Sequence, residues 1–379
     1  VYSILEDSKN NFWIGTIGRG LAKFDRKSCE FEFISFTSEN VYRQELPKAR
    51  NSANSLQKSI VEDYDGTFWI TTSAGLINFN PISKKFSIFI HNPANPHSLS
   101  LGGDYAHSIY RDHSNVYWVS STQGGLNKFS NDEQFRHIVY NQSDPQGLSN
   151  RTVSFIYEDK EGIIWIGTGG GILNKYDRNT NNFTHYPIIA LNDNSIVSDY
   201  VRCISEDSDG LLWIGMHLGG LYRFEKSTGQ FTHFSFDPKN TKNVIDNRVT
   251  SIAIDESDKL WVGSGSGYGV LKEFNRHTGE FFRHTRYSSG YGSGDSVHTQ
   301  NIFDMYLDKD GIIWYVSSFG SLKMYNPVTG KGRRFKFDKL SGEFILFSIY
   351  EDRKNRIWIG RDSGGLLRFD KQSESHTIY

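Results

Sequence analysis

The chain has little cysteine, little proline and no excess of either charge. Only Cys29 and Cys203 occur among 379 residues, so a disulfide framework is absent and the fold must depend on its hydrophobic core. Lys and Arg number 42 against 43 Asp and Glu, whereas a nucleic-acid-binding domain is expected to carry a basic surface. No run approaches the roughly 18 apolar residues that a membrane helix needs. We therefore expect no nucleic-acid partner and no membrane span in this chain.

Internal repetition is the strongest signal that the chain contains. Tryptophan recurs at intervals of 44 to 56 residues, and an aspartate stands six positions before each of the 8 tryptophans. The tryptophans are Trp13, Trp69, Trp118, Trp165, Trp213, Trp261, Trp314 and Trp358. The aspartates are Asp7, Asp63, Asp112, Asp159, Asp207, Asp255, Asp308 and Asp352. A period near 48 residues suits a structural unit of four strands.

Each repeat predicts four short strands joined by tight turns. A first apolar strand leads to a polar turn, as at 207–210, and then to the strand that carries the tryptophan. A glycine-rich turn, a third strand ending in an aromatic residue and a short fourth strand follow. The second strand is apolar at consecutive positions, as at 163–166, so both faces of each sheet must be covered. Sheets stacked face to face around an axis cover both faces, which predicts an all-β fold, a β-propeller of four-stranded antiparallel blades.

The number of blades follows from the number of repeats. We expect a single propeller over residues 1–379. Its eight blades are predicted at about 1–38, 55–90, 104–140, 150–187, 198–237, 246–286, 299–337 and 345–379. Propellers commonly close by completing one blade with strands from both termini, whereas this chain begins at a first strand and ends at a fourth. Seven blades and one stray repeat therefore remain the alternative to eight blades.

The repeated residues are interpreted as structural. An aspartate that accepts hydrogen bonds from the backbone of its own turn accounts for all eight copies, and no distal glutamate completes a calcium loop after them. The tryptophans lie mid-strand between apolar neighbours, where a large ring fills the space between sheets. No metalloprotease, nucleophile-elbow or phosphate-loop motif occurs. We therefore expect no catalytic residue, no metal and no cofactor, and a protein that is not an enzyme.

Candidate ligand-binding residues are sought where the repeats differ from one another. Two such positions lie at the mouth of a propeller, one after the second strand and one just before the apolar centre of the first. Arginines there offer bidentate donors and aromatic rings offer stacking surfaces, a combination that suits a polar or anionic ligand such as an acidic sugar. The candidates are Tyr2, Arg19, Lys58, His107, Gln123, Arg202, His217, Tyr268, Phe319, Phe347, Arg361 and Asp362.

The repeat resembles that of a known family. The segment 205–215, SEDSDGLLWIG, and the segment 349–366, which runs from Ile-Tyr-Glu-Asp through Trp-Ile-Gly to Gly-Gly-Leu, resemble the two-component regulator propeller repeat. The resemblance covers essentially the whole chain. It implies the periplasmic sensor region of a hybrid two-component protein that detects polysaccharide breakdown products. Members of that family carry two consecutive seven-bladed propellers, an immunoglobulin-like domain, a membrane helix, a kinase, a receiver and a DNA-binding segment, whereas this chain has eight repeats.

The function expected from these observations is ligand sensing. The resemblance implies that the chain recognises an oligosaccharide or similar polar ligand and signals to a kinase region and a second propeller of the same polypeptide. Whether the chain forms a homodimer stays open. One alternative is a propeller-type polysaccharide lyase or glycoside hydrolase, with His107, His217 and Asp362 as candidate residues. Another alternative is a protein-interaction scaffold.

Overall fold

The fold is an eight-bladed β-propeller, as the repeats predicted. The structure, a computed structural model, describes residues 1, 3–16, 19–36, 56–92, 94–95, 97–100, 106–121, 124–130, 135–188, 199–234, 248–265, 271–284, 302–317, 321–337, 345–361 and 365–379, with backbone only at 56–58, 107, 283, 284 and 336. These residues contain 32 strands in eight four-stranded antiparallel sheets, and within each sheet the strands pair in chain order. No helix that could cross a membrane occurs in the described part of the chain.

The blades fall into two compact units, Val1–Tyr186 and Pro187–Tyr379. The single domain and the blade limits given above stay predictions. The strands of the first unit are β1 (Ser3–Glu6), β2 (Phe12–Gly15), β3 (Leu21–Phe24) and β4 (Phe31–Ile34) in blade 1; β5 (Leu56–Glu62), β6 (Phe68–Thr72), β7 (Gly75–Phe79) and β8 (Phe86–Phe89) in blade 2; β9 (Ala106–Arg111), β10 (Tyr117–Ser121), β11 (Leu126–Phe129) and β12 (Arg136–Ile138) in blade 3; and β13 (Val153–Glu158), β14 (Ile164–Thr168), β15 (Ile172–Tyr176) and β16 (Phe183–Pro187) in blade 4.

The second unit repeats this organisation. Its strands are β17 (Val201–Glu206), β18 (Leu212–Met216), β19 (Leu221–Glu225) and β20 (Gln230–Phe234) in blade 5; β21 (Val249–Ile254), β22 (Leu260–Ser264), β23 (Leu271–Asn275) and β24 (Glu280–His284) in blade 6; β25 (Ile302–Leu307), β26 (Ile313–Ser317), β27 (Ser321–Asn326) and β28 (Lys331–Lys336) in blade 7; and β29 (Leu346–Glu351), β30 (Arg356–Arg361), β31 (Leu366–Asp370) and β32 (His376–Ile378) in blade 8.

The tryptophans form the core between adjacent blades. Within each unit, the indole of one blade packs on the aromatic residue that ends the third strand of the next blade. The ring centroids are 6.0 Å apart for Trp13–Phe79, 4.6 Å for Trp69–Phe129, 5.0 Å for Trp118–Tyr176, 5.2 Å for Trp213–Phe274, 5.4 Å for Trp261–Tyr325 and 5.8 Å for Trp314–Phe369. These rings are excluded from solvent, which confirms that they pack between sheets.

The repeated aspartates bind both the turn and the indole. In blade 5, Asp207 Oδ1 accepts the N–H groups of Asp209 and Leu211 at 3.1 and 2.9 Å, and Oδ2 accepts the indole N–H of Trp213 at 2.7 Å. The bond to the turn was predicted, whereas the bond to the indole was not. All eight aspartates accept an indole N–H in this way, at 2.7 to 3.2 Å. The constant spacing of six residues is the sequence signal of this bond.

Candidate functional site

One extra residue interrupts the start of the first strand in most blades. In blade 5, for example, Val201 pairs with Met216 and Cys203 pairs with Gly215, so that Arg202 has no partner in the ladder. The same β-bulge occurs in six blades, and its extra residues are His107, Ser154, Arg202, Thr250, Phe303 and Phe347. A bulge re-aims the side chain that it carries. The bulged residues stand at one of the two positions from which the candidates were chosen.

The bulged residues of neighbouring blades share one surface in the second unit. First strands contact one another from blade to blade there, β17 with β21, β21 with β25, and β25 with β29. The rings of Phe303 and Phe347, the bulged residues of blades 7 and 8, meet edge to face with centroids 5.2 Å apart. Since the first strands all begin at this side, we call it the bulge end of the second unit, defined by Arg202, Thr250, Phe303 and Phe347.

A buried carboxylate organises the bulge end of blade 5. Asp199, whose side chain is 4% exposed, accepts the backbone N–H groups of Leu218 and of Gly219, the latter at 2.9 Å. Its other oxygen lies 3.6 Å from Nδ1 of His217. The imidazole also stacks on the ring of Tyr200 at 4.5 Å. Asp199 therefore fixes the turn after the second strand to the segment that leads into the first.

The surroundings of His217 favour the neutral form of its imidazole. Burial lowers its pKa below the ordinary value, Arg248 and Arg202 lower it further, and Asp199 opposes them. Arg202 comes from the bulge of blade 5, and Arg248 precedes the first strand of blade 6. Charged groups from two segments, Asp199 and Arg202 of blade 5 and Arg248 of blade 6, thus act on one imidazole.

The two arginines have unused donors. Nε of Arg202 and Nε of Arg248 are buried and have no hydrogen-bond partner within the described residues. Nη1 of Arg248 makes a long contact of 3.4 Å with the carbonyl of Gly265. In the part of the chain that the structure describes, neither arginine forms an ion pair with a carboxylate. The two guanidinium groups can therefore donate hydrogen bonds to oxygens from outside the chain.

The remaining candidates are distributed over both units. Arg361 is 9% exposed and pairs with Leu346 in the ladder of blade 8, directly beside Phe347. Arg19 is exposed in blade 1, and its guanidinium lies 5.7 Å from the ring centre of Phe33. The structure thus brings together Arg202 with His217 and Phe347 with Arg361, one pair in blade 5 and one in blade 8.

Several predicted candidates cannot be placed. Tyr2, Gln123, Tyr268, Phe319 and Asp362 lie outside the described residues, and so do the side chains of Lys58 and His107. Lys58 and His107 are nevertheless in irregular stretches of β5 and β9, where the pairing with the second strand shifts.

Sequence reasoning missed two residues of this site, Asp199 and Arg248. Both stand two or three positions before the bulged residue of their blade. The segment leading into each first strand was therefore the signal that could have found them. No group of three or more His, Cys, Asp or Glu that could hold a metal occurs among the described residues.

Comparison with protein families agrees with the repeat. The family model described as two component regulator propeller matches residues 1–18, 147–170, 195–217 and 339–360. Each match includes the first strand and the tryptophan of one blade, those of blades 1, 4, 5 and 8. The predicted resemblance is confirmed. No curated protein matches the chain.

Solved structures of the same fold include an extracellular domain of a two component system and a lyase. The extracellular domain of the hybrid two component system BT4673 from B. thetaiotaomicron has 21% identity to this chain and a TM-score of 0.53. The match covers 100% of this chain and 60% of that chain. The chain thus spans less than two thirds of that domain. Virginiamycin B lyase from Staphylococcus aureus has 15% identity to this chain and a TM-score of 0.54. The match covers 79% of this chain and 90% of the lyase. Similarity at these identities concerns the fold.

Proposed function

We propose that this chain is the periplasmic ligand-recognition propeller of a hybrid two-component sensor. It binds an oligosaccharide or similar polar ligand at the bulge end and signals to a kinase region outside this chain, without catalysis of its own. The match to the two component regulator propeller supports this proposal, as does the fold shared with the extracellular domain of a hybrid two component system. A second propeller of the same polypeptide and a homodimer are the further partners proposed.

The bulge carries the argument for a binding site. The turn aspartate and the core tryptophan are the same in every blade, so they cannot distinguish one ligand from another. The bulged position holds instead a histidine, a serine, an arginine, a threonine and two phenylalanines. Bulges are frequent next to functional sites because they re-aim a side chain. Chemical diversity at a structurally constant position is what ligand recognition on a rigid scaffold requires.

Signalling follows from differential affinity. A ligand that binds one arrangement of the sensor more tightly than another shifts the population toward that arrangement. The propeller supplies a rigid surface for the ligand, because its blades are tied by buried rings and ion pairs. The change that reaches the kinase is proposed to lie in how this domain contacts its neighbours.

A glycan panel tests the proposal. A ligand that binds only the native state raises the unfolding temperature, so neutral and acidic oligosaccharides are screened by thermal shift and the hits are measured by calorimetry. Phe347→Ala is expected to weaken binding by about tenfold or more, since it removes a ring from the bulge end. Phe282→Ala, which removes a 46% exposed ring from β24, is the control and should leave affinity unchanged. Absence of binding across the panel, or equal losses in both variants, contradicts the proposal.

A lyase is the second candidate function, and one observation favours it. Burial lowers the pKa of His217, and Arg202 and Arg248 act on the same imidazole; elimination from a uronate needs a base next to a group that neutralises the carboxylate. Incubation with polygalacturonate, alginate and hyaluronate would then release unsaturated uronates that absorb ultraviolet light. His217→Gln should abolish that release. Binding without any product supports the sensor instead.

A further inference from the structure

The described residues at the bulge end of blades 5 and 6 carry more positive than negative charge around His217. Arg202 and Arg248 both act on His217 from nearby, and Asp199 is the carboxylate that faces the same imidazole. Asp199 already accepts two backbone N–H groups, and burial lowers the pKa of His217. Among the described residues, two guanidinium groups therefore share the neighbourhood of one carboxylate, which leaves a net positive charge there.

The opposite end of the same blades is balanced differently. Arg276 of blade 6 donates to Asp207 at 2.7 Å and also to Asp258, while Lys226 of blade 5 contacts Glu206 at 2.9 Å. At the end of the blades where the first strands finish, blades 5 and 6 thus pair their half-buried cations with carboxylates. A cation that is half-buried without a partner loses hydration and gains nothing in return. Among the described residues, Arg202 and Arg248 at the bulge end have no such carboxylate partner, so a ligand from outside the chain would stabilise them.

The unused donors have the geometry for an oxyanion. Guanidinium groups bind carboxylates and sulfates through paired N–H groups in a planar fork. Nε is one of the donors in that fork, and in both Arg202 and Arg248 it is buried with no partner in the described residues. Gly265 lies between the stem of Arg248 and Thr250, where a Cβ would approach Arg248 Cδ and Thr250 Cγ2 to 2.6 Å. The stem of Arg248 is thereby packed beside the bulged residue of its own blade.

We propose that Arg202 and Arg248 form an oxyanion subsite that binds the carboxylate or sulfate group of an acidic oligosaccharide. The subsite deepens the proposed function, since it rests on the bulge end being the surface that takes the sugar. Asp199 is its positioning residue, because it holds the turn that carries His217 against Tyr200. The edge-to-face pair of Phe303 and Phe347 supplies an apolar surface on the neighbouring blades of the same unit.

His217 reports on occupancy of the subsite. Its ring faces Asp199, Arg202 and Arg248 and stacks on Tyr200. An anion that neutralises the arginines removes their effect on the imidazole, so binding should raise the pKa of His217. The titration is followed by NMR of the imidazole nitrogens in the whole chain, with His217→Gln used to assign the signal.

The experiment compares four probes at constant ionic strength. They are tetragalacturonate, which carries carboxylates, a κ-carrageenan tetrasaccharide, which carries sulfates, cellotetraose, which is neutral, and inorganic sulfate. We expect at least one acidic sugar to bind and to raise the pKa of His217, and cellotetraose to leave it unchanged. Arg202→Gln and Arg248→Gln should each weaken that binding by about tenfold or more. Preference for tetragalacturonate or for the carrageenan identifies carboxylate or sulfate as the group bound.

Controls separate this inference from the proposed function. Arg223→Gln removes an exposed guanidinium of β19 that contacts Thr232 at 3.2 Å, and it should change neither affinity nor titration. If neutral sugars bind and the acidic sugars and sulfate leave His217 unaffected, the subsite is wrong and the sensor proposal stands. If only inorganic sulfate raises the pKa of His217, and does so through both arginines, the subsite stands and oligosaccharide sensing is wrong. A response that survives Arg202→Gln/Arg248→Gln overturns the subsite.

Discussion

Arg276 donates a hydrogen bond to Asp207 across the boundary between two blades, with Nη1 2.7 Å from Oδ2. The carboxylate side chain is fully buried. The same oxygen also accepts the indole N–H of Trp213. Blade 5 therefore contributes a buried anion that blade 6 neutralises. Equivalent bonds join Arg178 to Asp112 and Lys371 to Asp308, at 2.8 and 2.7 Å.

Asp207→Ala should destabilise the second unit strongly. The substitution leaves the indole N–H of Trp213 and two turn N–H groups without their acceptor, and it removes a buried partner of Arg276. Removing one member of a buried ion pair typically costs about 3 kcal/mol or more. Urea unfolding followed by tryptophan fluorescence would measure the loss.

Asp209→Ala provides the matched control for that measurement. Asp209 belongs to the same turn, but its side chain is 70% exposed and lies 3.7 Å from Arg276. An exposed ion pair of this kind contributes less than about 1 kcal/mol. Similar losses for Asp207→Ala and Asp209→Ala would show that the buried carboxylate does not join the blades.

The spacing of aspartate and tryptophan made the fold predictable, because each blade must satisfy the same packing. The cations that bridge blades escaped prediction for a physical reason. The position two residues after the aromatic end of the third strand is occupied by Arg178, Arg276 and Lys371. In two other blades the same position is occupied by Pro81 and Pro327. Without the register of the strands, a cation in one repeat cannot be matched to a carboxylate in the preceding one.

The candidate site was predictable in position but not in composition. Variation between repeats marked Arg202 and Phe347 as candidates, since residues outside the packing common to all blades differ from blade to blade. This variation did not reveal the β-bulge that re-aims Arg202 and Phe347, because one extra residue does not visibly change the apolar pattern of a strand. Asp199 and Arg248 stand three and two positions before the bulged residues of their blades, so they do not share one equivalent position at which the compared repeats differ.

The contribution of Lys371 to the free energy of unfolding should decrease at acid pH. Burial raises the pKa of Asp308, but hydrogen bonds from Lys371, the N–H of Ile312 and the indole of Trp314 outweigh it and leave the pKa below 3.8. A group whose pKa is depressed by folding stabilises the protein fully above its unfolded pKa, and that stabilisation is lost as pH falls through the folded pKa.

Lys371→Met tests that dependence. The wild type should be more stable than the variant at pH 6, and the difference should shrink as the pH falls below about 4. Free energies of unfolding at several pH values would measure it. Lys309→Met changes the exposed lysine next to Asp308 and should show no comparable trend. A constant difference between wild type and Lys371→Met would mean that Asp308 does not mediate the effect.

The turn after the first strand should accept asparagine in place of glycine. Three positions after each repeated aspartate, the backbone has a positive φ in all eight blades, from 59° at Asn355 to 81° at Gly66. Asparagine or aspartate occupies the position in four blades and glycine in the other four. Gly311→Asn should therefore change stability by less than about 0.5 kcal/mol, since a Cβ there meets nothing within 4 Å. Gly311→Val should cost about 1–2 kcal/mol, because a branched side chain disfavours this conformation. Equal stabilities in thermal unfolding would contradict the assigned backbone conformation.

The two cysteines should differ sharply in reactivity. Cys29 is exposed, whereas burial raises the pKa of the Cys203 thiol to about 12, against smaller opposing effects of Arg202 and the backbone of Gly215. Because the thiolate is the nucleophile, a disulfide reagent at neutral pH should modify one thiol quickly and the second only after unfolding. Cys29→Ser should lose the fast phase, while Cys203→Ser should keep it. Cys203 packs against the hydrophobic cluster of blades 5 and 6 that includes Val249 and Phe274. Fast modification of two thiols in the folded protein would show that Cys203 is not held there.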